Sequence, residues 1–146
     1  MNFWHAKALR LRKECRDMLN FMSENDISKI VIGKAIQLHR SVGPGLLESA
    51  YQAALIYDLM EDGFNVRKEV PVPFIYKGIR QDVGYRIDIL VEEKVLIEVK
   101  SIEVLAPVHF AQTLTYLRLA DLKLGLLINF KTRLLKDGIH RIVNNL

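Results

Sequence analysis

Apolar residues recur at helical spacing in three stretches of the chain and at alternating spacing in two. The first helical stretch runs through Ile27, Ile30, Val31, Ala35 and Leu38. Ser23-Glu24-Asn25-Asp26 before it has the composition of a helix cap, and Val42-Gly43-Pro44-Gly45 ends it. A second helix is predicted from about Leu46 to Asp62. Leu47, Ala50, Tyr51, Ala54, Leu55 and Leu59 make it apolar over much of its surface, so it needs cover on more than one side. Gly63 is a suitable C-terminal stop. Asn65 to Tyr76 reads as extended, with Pro71 and Pro73 pointing to a sheet edge, and Lys77-Gly78 as a turn. Tyr85–Val91 and Val95–Lys100 alternate around Glu92-Glu93 and read as a hairpin. Pro107 suits the first turn of a third helix, reaching about Ala120. Leu124 to Phe130 is a short apolar run expected to be a central strand, and Ile139 to Val143 a last one.

The predicted order is α-α-β-β-β-α-β-(β), an α/β domain over residues 23–146 with residues 1–22 as an N-terminal extension. Within that extension Trp4, Ala8, Leu11 and Cys15 fall at helical spacing, so an amphipathic helix is predicted there.

The hairpin has two competing registers. A two-residue loop at Glu92-Glu93 pairs Asp88 with Ile97 and sets a carboxylate among core side chains. A three-residue loop, Glu92 to Lys94, pairs Asp88 with Glu98, Leu90 with Leu96 and Arg86 with Lys100. It also places Ile87, Ile89 and Val91 on the face of Val95, Ile97 and Val99. The second register is the one predicted, because it sorts polar from apolar.

Two carboxylates side by side repel unless positive charge separates them. Oxygen ligands suit a hard divalent cation, Mg²⁺ or Mn²⁺. Lys100 shares the face of Glu98, where it can orient an attacking water or hold charge on a phosphate. The other reading of Glu98 and Lys100 is an exposed pair on a wetted sheet face. Glu48, at the start of the second helix with Tyr51 one turn on, is a candidate third ligand, or else an acid placed favourably at a helix N-terminus. Gln112 and Tyr116 lie four apart on one helix face and are candidates to bind phosphate or hold the lysine. His109, three residues before Gln112, is a candidate second contact to substrate. An ordinary polar rim explains Gln112 and Tyr116 as well.

Composition bounds these readings. The chain has 146 residues, 50% of them apolar and 26% charged, which suits one globular domain with a real core. Its single cysteine, Cys15, excludes an intramolecular disulfide framework and fits a reducing, cytoplasmic setting. No stretch approaches the length of a membrane span, and the first 21 residues make a poor secretory signal. The formal net charge is +4. Residues 1–21 carry five Lys/Arg against two acids, so the remaining residues hold only +1. Charge alone therefore supports nucleic-acid binding by the body weakly. Lys123, Lys131, Arg133, Lys136 and Arg141 make the C-terminal part locally basic, either a phosphate-facing edge or a solvated end.

Gly45-Leu-Leu-Glu48-Ser-Ala-Tyr51 resembles the motif that names the GxxExxY proteins, a group within the PD-(D/E)xK nuclease superfamily. The resemblance continues through Asp88-Ile-Leu-Val-Glu92, Ile97-Glu98-Val99-Lys100, Gln112-Thr-Leu-Thr-Tyr116 and Leu126-Leu127-Ile128-Asn129-Phe130, and covers roughly residues 24–143. It implies a restriction-endonuclease-like core, a mixed central sheet flanked by helices. It also implies metal ligation by Glu48, Asp88, Glu98 and the Val99 carbonyl, with Lys100 serving the water. The Gln-x-x-x-Tyr helix resembles that of the RecB-like branch, which implies that Gln112 and Tyr116 lie near the site. His39 fits the family pattern as a cleft residue, and equally a helix-end cap. Ile87 stands where the superfamily name has proline. The function implied is a metal-dependent nuclease acting on DNA, alone or as a homo-oligomer, with no membrane partner. The alternative is a non-catalytic nucleic-acid-binding or protein-interaction module that keeps the fold.

Overall fold

The computed structural model describes residues 1–146. The Ser23 hydroxyl accepts from the Asp26 amide and the Asp26 carboxylate accepts from the Ser23 amide, a reciprocal cap that starts helix α2, Glu24–Val42. Gly43 ends it at φ 74°, a conformation glycine adopts without strain. Helix α3 spans Glu48–Glu61, and α4 spans Pro107–Leu119 with proline at its start. An N-terminal helix, α1, covers Phe3–Asn20.

Seven strands follow in chain order: β1 Val66–Pro71, β2 Phe74–Tyr76, β3 Ile79–Gln81, β4 Arg86–Val91, β5 Val95–Lys100, β6 Leu124–Asn129 and β7 Ile139–Val143. Five form the main sheet in the order β1-β4-β5-β6-β7. Only β5 and β6 run parallel, and α4 is the crossover that parallel neighbours require. The sheet is mixed and flanked by helices on both faces, the architecture of a restriction-endonuclease-like core.

One face carries the larger core. Ile89, Val91, Val95, Ile97, Val99 and the even-numbered apolar residues of β6 meet Ile27, Val31 and Ala35 of α2 and Tyr51, Leu55 and Leu59 of α3. The second face, with Leu90 and Leu96, packs on Tyr116 and Leu117 of α4. Gly125 in β6 makes that approach close: a Cβ there would lie 3.3 Å from Thr113 Cγ2 and 3.4 Å from Leu117. The apolar second helix thus gains cover from α2 and the sheet together.

Three expectations need correction. The segment Asn65–Tyr76 is not one strand. β1 is the edge strand that its prolines suggested, while β2 leaves the main sheet and pairs with β3 in a separate hairpin. Its turn has Lys77 at φ 50° and Gly78 at φ 75°, the paired positive angles of a tight hairpin, so Lys77-Gly78 is the turn expected. Ile87 joins the smaller core with Leu90 and Leu96 instead of siding with Ile89 and Val91. The ladder is interrupted beside it: Glu69 takes φ 50° and no Glu69–Asp88 pair forms, although Val70 and Ile87 remain paired in the same register. Third, neither the Asp88–Glu98 nor the Arg86–Lys100 pair forms in the ladder, which stops at Ile89 and Ile97. Arg86 stays opposite Pro71 of β1, and Lys100 opposite Asn129 of β6.

Candidate active site

The β4–β5 ladder holds Val91 to Val95, Leu90 to Leu96 and Ile89 to Ile97. The loop is therefore Glu92 to Lys94, three residues, with Glu92 and Glu93 both at positive φ. Beyond Ile89 and Ile97 the two strands part. β4 keeps its bonds to β1, and β5 its bonds to β6. Asp88 and Glu98 are the first residues past the split.

Their side chains bridge the gap. Asp88 Oδ2 accepts from the Val99 amide at 2.9 Å, and Glu98 Oε1 accepts from the Asp88 amide at 3.3 Å. Each carboxylate thus replaces a lost ladder bond and keeps its second oxygen free of any hydrogen bond within the chain. Glu98 is 5% exposed. Burial first, and the neighbouring Asp88 second, push its carboxyl up to about 8. Asp88 is also raised, chiefly by burial, against the pull of the Val99 amide and the Lys100 charge. Lys100 is half-buried, and none of the four ion pairs in the protein includes it.

Glu48 reaches the same region from the first turn of α3. Its Oε1 accepts from the Ser101 amide at 3.2 Å, directly after Lys100, and its charge acts on both strand carboxylates. The Ser101 hydroxyl donates to the Leu46 carbonyl at 2.9 Å, which fastens the end of β5 to the loop before α3. Tyr51 is fully buried. It stacks on Phe130 at 4.3 Å, accepts from the Leu46 amide, and donates to the Gly43 carbonyl. Within Gly45-x-x-Glu48-x-x-Tyr51, then, the tyrosine holds the loop and the glutamate holds the strand end.

Gln112 and Tyr116 approach from α4. Gln112 Nε2 donates to the Tyr116 hydroxyl at 2.7 Å. Tyr116 is raised mainly by burial, with Gln112 opposing and the charges of Glu98 and Asp88 adding to the rise. The pair therefore lies within electrostatic reach of the strand carboxylates. His109 caps its own helix: its Nδ1 accepts from the Ala106 amide at 2.8 Å. His39 is buried, and its Nε2 donates to the Thr132 carbonyl at 2.9 Å. It lines a separate cleft of about 390 Å³ with Arg40, Gly43, Arg133 and Lys136. No acid lines that cleft, and none of its three cations is ion-paired. Its Gly43 wall belongs to the same loop that Tyr51 holds and Ser101 contacts.

Three residues escaped the sequence reading. Glu69 lies on β1 between the residues paired with Ile89 and Ile87, and its charge acts on Asp88; no register for β1 was legible without the ladder. Ser101 had no signal beyond following Lys100. Asn129 did: it is a polar residue inside an apolar run. It is 2% exposed, accepts from the Ile102 amide at 3.1 Å and donates to the Ile102 carbonyl at 2.8 Å, closing the chain that leaves β5.

Residues 25–142 match the model of the PD-(D/E)XK nuclease superfamily. The chain belongs to that superfamily. Neither a curated protein nor a solved structure matches it. No helix is long and apolar enough to cross a membrane. As in the superfamily name, an acid on one strand and an acid-x-lysine on the next are the residues at the split: Asp88, then Glu98 and Lys100. No three carboxylates, imidazoles or thiols converge at a spacing able to hold a metal ion by themselves. Asp88, Glu98 and Glu48 each keep one oxygen free of hydrogen bonds within the chain, and oxygen donors are the kind that a hard cation prefers.

Proposed function

We infer that the protein is a metal-dependent nuclease of the GxxExxY type that hydrolyses phosphodiester bonds in DNA, its catalytic unit being residues 23–146. One observation carries this: the sheet splits at Asp88 and Glu98, and the two carboxylates face each other across the opening with Lys100 one step along the strand. Asp88, Glu98 and the Val99 carbonyl would hold Mg²⁺ or Mn²⁺, with Glu48 a further ligand. The bound cation supplies positive charge that lowers the pKa of a water and offsets charge on the phosphate.

The chain's own groups do the rest. The Val99 and Asp88 amides aim one oxygen of each carboxylate, leaving the other toward the opening. The Ser101 amide does the same for Glu48. Lys100 is unpaired and half-buried, free to orient the attacking water and steady the phosphate. Gln112 and Tyr116 form the α4 wall of the site. Arg40, Arg133 and Lys136, with no acid among them, favour a polyanion beside the Gly43–Leu46 loop.

Cleavage of single- and double-stranded DNA and of RNA, with Mg²⁺ or Mn²⁺, tests the reading. Wild-type protein should cut DNA, and Glu98→Ala and Lys100→Ala should not. No cleavage by wild type, or equal cleavage by both variants, overturns it. A second reading, a binding module that keeps the fold without cutting, is favoured by the failure of three ligating side chains to converge. Calorimetric titration separates the two, because tight Mn²⁺ binding abolished by Asp88→Asn belongs to the nuclease reading.

A further inference from the structure

Helix α1 is an amphipathic helix with nothing on its apolar side. Leu19 is its only buried residue, so the helix is attached to the body at one end. Trp4, Leu11 and Met18 are 73%, 56% and 70% exposed, and Ala8 and Cys15 are exposed with them. An isolated helix of this length is marginal in water.

The spacing of these residues states what kind of surface they make. Trp4, Ala8, Leu11, Cys15 and Met18 are separated by four, three, four and three positions. That is the a/d pattern of a coiled coil, with Ala8 and Cys15 at a and Trp4, Leu11 and Met18 at d. Phe3 and Leu9 are exposed off this line, but the continuous stripe is the a/d seam of a helix pair. Charge and size then select the partner. In a parallel pair of identical helices Lys7 at g meets Arg12 at e of the other copy, and Ala8 faces Ala8. In an antiparallel pair with Ala8 facing Leu11, Trp4 faces Cys15, so these layers each set a large side chain against a small one, while Met18 falls at the end of the overlap, opposite Met1. The same register sets Lys7 against Glu14 of the other copy, twice by symmetry. Sliding that pair by one heptad brings Glu14 against Glu14 and Arg12 against Arg12.

We propose that α1 is a self-association helix, which pairs two copies of the chain through an antiparallel coiled coil centred on Ala8 and Leu11. The helix is about 27 Å long, and antiparallel pairing puts the two bodies toward opposite ends of the seam. Each dimer carries two carboxylate sites. The proposal stands independently of the nuclease reading.

Sedimentation velocity of the full chain over a hundredfold concentration range tests it. Wild type should shift from monomer to dimer, and Leu11→Glu should remain monomeric with an unchanged unfolding transition of the body. Lys7→Glu and Glu14→Lys should each weaken the dimer at least tenfold, and the double variant should restore it. Orientation is read by mild oxidation: wild type should form little Cys15–Cys15 crosslink, whereas Trp4→Cys should crosslink to Cys15 of the other copy. A wild-type chain that stays monomeric throughout overturns the proposal. So does a double variant no better than the singles, efficient Cys15–Cys15 crosslinking, or a helix that gains order only on anionic vesicles or DNA.

Discussion

Glu98 accepts its hydrogen bond from the backbone amide of Asp88, across the gap where β4 and β5 part. The bond returns part of what the ladder loses at that point, and the reverse bond from Val99 to Asp88 returns more. Neither bond neutralises charge. Two acids are thus held together by backbone geometry, at a cost that depends on their protonation.

That dependence has a defined sign. The folded-state pKa of Glu98, about 8, lies above its ordinary 4.5. Its stabilising contribution is full below about pH 4.5 and is lost as pH rises through about 8. Asp88 is shifted in the same direction. Urea unfolding in the presence of a chelator should show the protein losing a few kcal/mol between pH 5 and pH 8 on this account. Glu98→Gln should flatten most of that loss and be the more stable protein at pH 8. A wild-type profile that rises over this range contradicts the electrostatics described.

Cation binding should offset the same repulsion. Mn²⁺ is expected to raise the melting temperature of wild type at pH 8 and to leave Glu98→Gln and Asp88→Asn unmoved. Lys100→Ala should keep the Mn²⁺-dependent rise and still lose cleavage by about 10²-fold or more. Melting curves and cleavage rates on the same preparations separate ligand from lysine.

Asn129→Ala should be among the more damaging polar substitutions. It strips the Ile102 amide and carbonyl of their partners in a nearly closed site. The expected cost is about 2–3 kcal/mol in urea unfolding, with the chain after β5 loosened. Tyr51→Phe should cost less, about 1–2 kcal/mol, because its stacking on Phe130 survives and only the hydroxyl bonds to Gly43 and Leu46 go. Faster amide exchange at Leu46 should accompany it.

Arg133→Ser with Lys136→Ser removes two of the three cations of the His39 cleft. DNA affinity of the inactive Glu98→Ala protein should fall, and the slope of log affinity against log salt should flatten by about 1–2. Fluorescence anisotropy with a labelled oligonucleotide over a salt series reads both. An unchanged slope would place the DNA elsewhere.

The pattern of apolar positions alone determined the helices α2, α3 and α4, the hairpin of β4 and β5, and its three-residue loop. Period and polarity decide these, since only one register sends Ile89, Val91, Val95 and Ile97 to a single face. The GxxExxY spacing likewise marked Glu48 before any fold was known. Tertiary structure decided what local pattern does not encode. Alternation predicts faces only while two strands stay paired, so neither the split at Asp88 nor the departure of Ile87 was legible. Glu69 came to Asp88 through a ladder formed between strands far apart in sequence. The Tyr51 hydroxyl is engaged with the backbone of Leu46 and Gly43, and His39 Nε2 with the Thr132 carbonyl. Hydrogen bonds between distant segments assign such roles, and they exist only once β5, β6 and the loop before α3 have met.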